Sequence, residues 1–211
     1  MNPANHTPIL QVHDLHFSYP GRKLFTHFSA NFPPGITLIR GGDGCGKSTL
    51  LRLLVGALPA QSGTLHINGI NLQAHQANYK AKVFWVEPRS SAFDQLTVQD
   101  YFELQRQAHS GLTDDHLAAI VEGLSLQPHL HKPLYMLSTG SKRKVWLAGS
   151  LASGAPVTLL DDPTASLDSP SIRYLMHTLE TFGRNPSRAW IVTGYEAPAT
   201  LPLRAVIDLP A

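Results

Sequence analysis

Along the first third of the chain, apolar positions come in short, closely spaced runs. Ile9-Leu10-Gln11-Val12 and Leu15-His16-Phe17 have strand character, and Tyr19-Pro20-Gly21 reads as a turn. Ile36-Thr37-Leu38-Ile39 is a continuous run of the kind that fills a buried strand. Gly63-Thr64-Leu65-His66-Ile67 alternates and runs into Asn68-Gly69, the strongest two-residue hairpin signal. Val83-Phe84-Trp85-Val86 is a further strand candidate, and no internal repeat is visible.

After residue 86 the period changes from strand-like to helical. Thr97 with Asp100 forms a capping pair ahead of Tyr101, Phe102 and Leu104. Thr113, followed by Asp114 and Asp115, opens a second helix that carries Leu117, Ile120, Val121 and Leu124, and Ser138 starts a third running to about Ala152. This block, about residues 90–152, reads as a helical insert within a single domain spanning 1–211. Beyond it, Val157-Thr158-Leu159-Leu160 and Ala189-Trp190-Ile191-Val192 flank a helix near Ser169 to Phe182, the β-α-β rhythm of a parallel sheet. Ala205-Val206-Ile207 is the last strand candidate.

Composition narrows the class. The chain has 211 residues, 43% hydrophobic and 15% charged, which is too apolar and too weakly charged for a disordered protein. Cys45 is the only cysteine, so a disulfide scaffold is excluded and a reducing cytosol fits. Seventeen basic residues against fifteen acidic ones leave a formal charge of +2 with no basic tract, which argues against a nucleic-acid partner. The N-terminus, Met1 to Pro8, has neither the basic nor the apolar region of a secretory signal. The most apolar stretch, Val145 to Leu160, is broken by Gly149, Gly154 and Pro156 and falls short of the ~20 residues needed to cross a bilayer. A soluble chain is expected, with any spanning done by another subunit.

The densest chemistry lies between the third strand candidate and the helix-like Leu50 to Val55. Gly41-Gly42-Asp43-Gly44-Cys45-Gly46-Lys47-Ser48-Thr49 fits the phosphate-binding pattern G-x-x-x-x-G-K-[ST]. Glycines let the backbone curl so that successive N–H groups point at phosphate oxygens, Lys47 supplies a point charge, and the helix N-terminus adds its partial positive charge. The Ser48 hydroxyl is the expected magnesium ligand. Cys45 sits at a variable position, where a small residue that fits is the better reading than a redox centre. Eleven histidines invite a metal-binding reading, but no H-E-x-x-H or Cys/His pairing occurs; His129 and His131 lie between Pro128 and Pro133 and read as a solvated loop.

Further motifs follow in order. Leu137-Ser138-Thr139-Gly140-Ser141 resembles the LSGGQ signature of the ATP-binding cassette (ABC) ATPases, and Leu159 to Asp168, with the run Asp161-Asp162-Pro163, resembles their Walker B and D-loop segment. With the phosphate loop, this resemblance covers essentially the whole chain. It implies an α/β P-loop NTPase fold with an N-terminal antiparallel β subdomain and a helical insert. It also implies that ATP and Mg2+ are bound, that Tyr19 stacks on adenine, that Asp161 holds magnesium, and that Asp168 helps organise a dimer interface. In such a dimer Ser138 and the amide of Gly140 meet the γ-phosphate bound by a second domain. An ordinary turn tyrosine, a helix-capping aspartate and a simple N-cap are the plainer readings of Tyr19, Asp161 and Ser138. Lys142-Arg143-Lys144 follows the signature, and a solvated helix surface is expected for Lys142 at least.

Three positions depart from the family pattern. The glutamate that follows the magnesium aspartate is Asp162 here, and the lost methylene withdraws the carboxylate by about 1 Å, a displacement that can cost around 10²-fold in rate. Gly194 stands where the switch histidine would be, with Thr193 or Tyr195 as substitutes acting through water. Glu87 takes the position of the usual glutamine, and a carboxylate there can still bind magnesium. The resemblance thus implies an ATPase subunit with a slow hydrolytic site, in which Asp162 and Glu87 carry the catalysis. Its partners would be a second ABC ATPase domain, as homodimer or heterodimer, and a separate integral membrane permease at the cytoplasmic face of the membrane. The short segment after the last strand makes export the expected direction. A regulatory or structural subunit with little hydrolysis is the alternative, and a P-loop kinase or GTPase leaves the signature unexplained.

Overall fold

Nine strands and six α-helices are present among the described residues, which are 7–88, 90–196 and 200–210 in this computed structural model. The N-terminal residues 1–6, read above for their lack of signal features, lie outside them. The two anticipated strand runs at the N-terminus form one long strand, β1 (Leu10–Tyr19). It turns through Pro20-Gly21 into β2 (Arg22–Phe32), which was not anticipated. The alternation of β2 is hidden because bulges interrupt its pairing with β1 and His27 adopts φ 52. Next come β3 (Gly35–Arg40), α1 (Lys47–Leu54), β4 (Ser62–Ile67) and β5 (Ile70–Asn71). Ile67 faces Ile70 across the Asn68-Gly69 turn, whose φ values of 49 and 78 suit a type I′ hairpin.

The short helix α2 (Gln76–Lys80), also unanticipated, leads to β6, confined to Val83–Phe84. Three helices follow: α3 (Val98–Ala108), α4 (Asp114–Gly123) and α5 (Thr139–Ala152). Thr97 caps α3 in both senses, its hydroxyl accepting the Asp100 amide at 3.1 Å and donating to the Asp100 carboxylate at 2.7 Å. The chain ends in β7 (Val157–Leu160), α6 (Ser169–Phe182), β8 (Ala189–Gly194) and β9 (Leu203–Asp208).

The strands form an antiparallel sheet, ordered β2-β1-β4-β5, and a parallel sheet, ordered β6-β7-β8-β3-β9. β3 lies between β8 and β9 and is buried along almost its whole length, which is why its sequence does not alternate. One core cluster joins the two sheets through α1, whose Leu50, Leu51, Leu53 and Leu54 are fully buried, each contributing about 1.5–3 kcal/mol. A second cluster fixes the helical segment to the parallel sheet. There Trp146 meets Tyr101 edge-on at 4.9 Å, and a Cβ at Gly149 would stand only 3.2 Å from the Tyr101 hydroxyl, so α5 approaches α3 closely. No helix among the described residues is long and apolar enough to cross a membrane.

Candidate phosphate-binding site

The parallel strands β3, β7 and β8 end on one side of their sheet, and the loops that leave them meet there, as parallel α/β sheets dictate for ligand sites. The loop from Gly41 to Gly46 leaves β3 and enters α1 directly, with Gly44 at φ 74 and Gly46 at φ 104. Those dihedrals strain any residue with a Cβ, so the curl of the backbone depends on glycine at both positions. Lys47 Nζ donates to the carbonyls of Gly41 at 2.6 Å and Gly42 at 2.8 Å. Cys45 is buried with its Sγ directly under Gly41, consistent with a small packing residue. Arg22, at the start of β2, donates to the Gly44 carbonyl at 2.9 Å and ties the antiparallel sheet to the loop.

Across a cleft of about 650 Å³ stands the end of β7. Asp43, Gly44, Gly46, Lys47, Ser48 and Thr49 line one wall, and Asp161 and Asp162 line the other. The hydroxyl of Thr193, buried on β8, donates to Asp161 Oδ1 at 2.7 Å and accepts the Asp162 amide at 2.9 Å. Thr193 thereby orients the aspartate pair. Asp162 adopts φ 43, a left-handed conformation that aspartate tolerates better than most residues. Arg143 on α5 donates to the main-chain carbonyls of Asp161, at 2.6 Å, and of Asp162. Burial lowers the Arg143 pKa from its ordinary value, opposed by the charges of Asp162 and Asp161, and the guanidinium stays protonated at neutral pH.

Other side chains close the rim. Glu87 lines the cleft, with its carboxylate ion-paired to Arg52 of α1. Tyr195 donates to the Asp43 carboxylate, and its ring lies 4.7 Å from Lys47 Nζ, so it reaches over the phosphate loop. That hydrogen bond raises the Tyr195 pKa above its ordinary value. At Gly194 a Cβ would meet nothing nearer than the Glu196 carbonyl at 3.6 Å. Tyr19 ends β1 about 38% exposed, its hydroxyl 3.5 Å from Thr49 Oγ1 beside the first turn of α1.

Of the signature residues, Thr139 lines the same cleft, while Ser138 caps α5 by accepting the Ser141 amide at 3.1 Å. Gly140 packs against the loop after β7, where an added Cβ would stand 2.7 Å from the Ser166 carbonyl. Leu137 packs on the helical core cluster. Asp168 caps α6, accepting the Ser171 amide at 2.8 Å, and pairs with Lys144 at 2.6 Å. Lys142 does not face solvent as expected. Its ammonium reaches Asp94 at 2.6 Å and is mostly buried, because successive residues on α5 point about 100° apart and each cation meets a different neighbouring segment. Arg52, Trp85 and the carbonyl contacts of Arg143 went unread in the sequence, since each depends on a long-range contact with no local pattern.

A glycine-cradled lysine before a helix, facing a strand-end aspartate pair on a parallel sheet, defines a P-loop nucleotide-binding protein. A model of the family described as ABC transporter matches residues 25–165, and the chain belongs to that family. It is 35% identical over 191 residues to the cobalt import ATP-binding protein CbiO of Rhodobacter capsulatus, covering 84% of this chain and 68% of that one. It is 32% identical over 178 residues to the cytochrome c biogenesis ATP-binding export protein CcmA of Pseudomonas syringae pv. syringae, covering 83% and 82%. The first of its curated relatives are far longer, and the chain spans 12% and 10% of their length. A solved structure of the ATP-binding subunit of an ABC transporter superposes with a TM-score of 0.80 at 20% identity, covering 89% of this chain and 79% of that one, a likeness of fold.

Proposed function

We propose that the chain binds Mg-ATP and hydrolyses it slowly as the nucleotide-binding subunit of an ABC transporter. The observation that carries this reading is the single cleft in which Lys47 and Ser48 face Asp161 and Asp162. Ser48 and Asp161 offer hard oxygen donors of the kind magnesium prefers, and Thr193 already orients the Asp161 carboxylate. When bound, the ion neutralises charge on the β and γ phosphates.

The chain's own groups carry the remaining roles. The loop amides from Asp43 to Thr49 cradle the phosphates, Lys47 exchanges its carbonyl partners for phosphate oxygens, and Tyr19 stacks on the adenine ring. Asp162 accepts a proton from the attacking water or orients it, across a reach one methylene shorter than glutamate gives. Glu87, held by Arg52, lines the same cleft and acts on the metal side of it.

ATP closes the chain against a second ABC ATPase domain, identical or different, whose Ser138 and Gly140 equivalents cover the γ-phosphate. Asp168 stands at that interface, and reopening follows hydrolysis. A separate integral membrane permease transmits these movements, so the subunit works at the cytoplasmic face of the membrane. Among the named relatives, one is a cobalt import protein and the other a cytochrome c biogenesis export protein, so the resemblance supports transport without selecting a direction. A second reading, a regulatory subunit with little turnover, is favoured by Gly194, which has no side chain to offer the γ-phosphate.

ATPase rates of wild type, Asp162→Glu and Asp162→Asn separate the two readings. A catalytic Asp162 makes Asp162→Asn slower by about 10²-fold with ATP binding retained. Equal rates for Asp162→Asn and wild type at equal ATP affinity would assign the chain to the regulatory class. Because Asp162 sits at φ 43, the thermal stability of each variant is measured alongside its rate.

A further inference from the structure

Away from the nucleotide cleft, the β1–β2 pair gathers three potential metal ligands that are scattered in sequence. Asp14 Oδ1 lies 2.6 Å from His27 Nδ1 and 3.4 Å from His16 Nε2, and the two ring nitrogens are 3.2 Å apart. We propose that Asp14, His16 and His27 form a binding site for a divalent ion of the zinc type, ligated by two imidazole nitrogens and one carboxylate oxygen, with water completing the shell.

In the absence of an ion the Asp14 oxygen can accept from either ring, and with both ring nitrogens unprotonated each of the three atoms has a lone pair to offer a shared ion. Tetrahedral bonds of 2.0–2.1 Å put ligand atoms about 3.3–3.4 Å apart. The two contacts of His16 already match that edge, and only the Asp14–His27 contact has to open, by about 0.7 Å. Two imidazoles with one carboxylate suit zinc and its neighbours, whereas magnesium and calcium prefer oxygen-rich shells.

The backbone is shaped around this convergence. Asp14 and His27 both adopt left-handed conformations, φ 51 and φ 52, at bulges that interrupt the β1–β2 register. The Asp14 amide is satisfied by Ser29 Oγ at 3.0 Å, leaving its carboxylate for ligation. His16 is the most buried of the three and His27 the most open, which leaves one side for water. An ion here clamps the paired bulges, with His16 three residues before Tyr19. The sequence hides the site because its ligands fall at positions 14, 16 and 27 on two strands.

The test uses the full, untagged chain stripped with EDTA. Titration with Co2+ is expected to give visible bands of a four-coordinate nitrogen and oxygen site that saturate at one equivalent, and added Zn2+ should abolish them. Asp14→Asn and His27→Asn keep residue types that accept left-handed backbone while removing a ligand, so both are expected to fold. Each should weaken Co2+ binding by about 10-fold or more and lose the rise in melting temperature that Zn2+ gives wild type. His131→Ala should bind as wild type does. Absence of cobalt bands in wild type, or unchanged titrations in both Asn variants, would overturn the assignment.

Discussion

Thr193 Oγ1 donates to Asp161 Oδ1 at 2.7 Å, tying two residues 32 positions apart at the ends of adjacent parallel strands. The same hydroxyl accepts the Asp162 amide at 2.9 Å, so one buried oxygen sets both acidic residues of the cleft. Thr193→Val keeps the shape but leaves the Asp162 N–H and the Asp161 carboxylate without a partner. A loss of about 1–3 kcal/mol in unfolding free energy is expected, read as a lower denaturant midpoint, together with slower ATP turnover. Thr193→Ser should restore most of both.

Asp168 offers a test of pH dependence. The hydrogen bonds from Lys144 and Ser171 hold its pKa well below the ordinary 3.8. Since the folded state favours the carboxylate, its contribution is fully present above the unfolded pKa and is lost as pH falls through the lower folded value. Asp168→Ala is expected to cost about 1 kcal/mol at pH 7, the usual loss on removing an N-cap. The gap between wild type and variant, measured by urea unfolding, should narrow below about pH 4.

The close approach of Gly140 to the Ser166 carbonyl predicts that Gly140→Ala, normally favourable within a helix, is destabilising here. The added Cβ would stand 2.7 Å from that oxygen, in a loop where Ser166 is itself at φ 62. A destabilisation of about 1–3 kcal/mol is expected, visible as a lower melting temperature.

Gly194 gives the opposite expectation. A Cβ there meets nothing within 3.6 Å and the backbone is ordinary strand, so Gly194→His should fold with stability within about 0.5 kcal/mol of wild type. If the missing side chain limits hydrolysis, the variant's ATPase rate should rise by about 10-fold or more. An unchanged rate would place the limit at Asp162 instead.

What could be read from the sequence were features whose physics is local. The phosphate loop, the Ser138 and Thr97 caps, the Asn68-Gly69 hairpin and the β7–α6–β8 unit each declare themselves within a few residues, and each stands where its pattern put it. β2 escaped because its bulges break the two-residue period. The Lys142–Asp94 and Tyr195–Asp43 contacts escaped because they join segments far apart in the chain. The fold class, the phosphate loop and the strand-end aspartates were therefore legible, whereas Arg52, Trp85 and the contacts that orient the cleft residues were not.

If the cleft takes a nucleotide, Lys47 must hold its triphosphate. Equilibrium titration of the purified chain with a fluorescent ATP analogue in the presence of magnesium tests this directly, with Lys47→Ala as the comparison and circular dichroism to verify its fold. Saturable binding by wild type, weakened by about 100-fold or more in the folded variant, is the predicted result. Equal affinity in the two chains would contradict the assignment of the cleft to nucleotide.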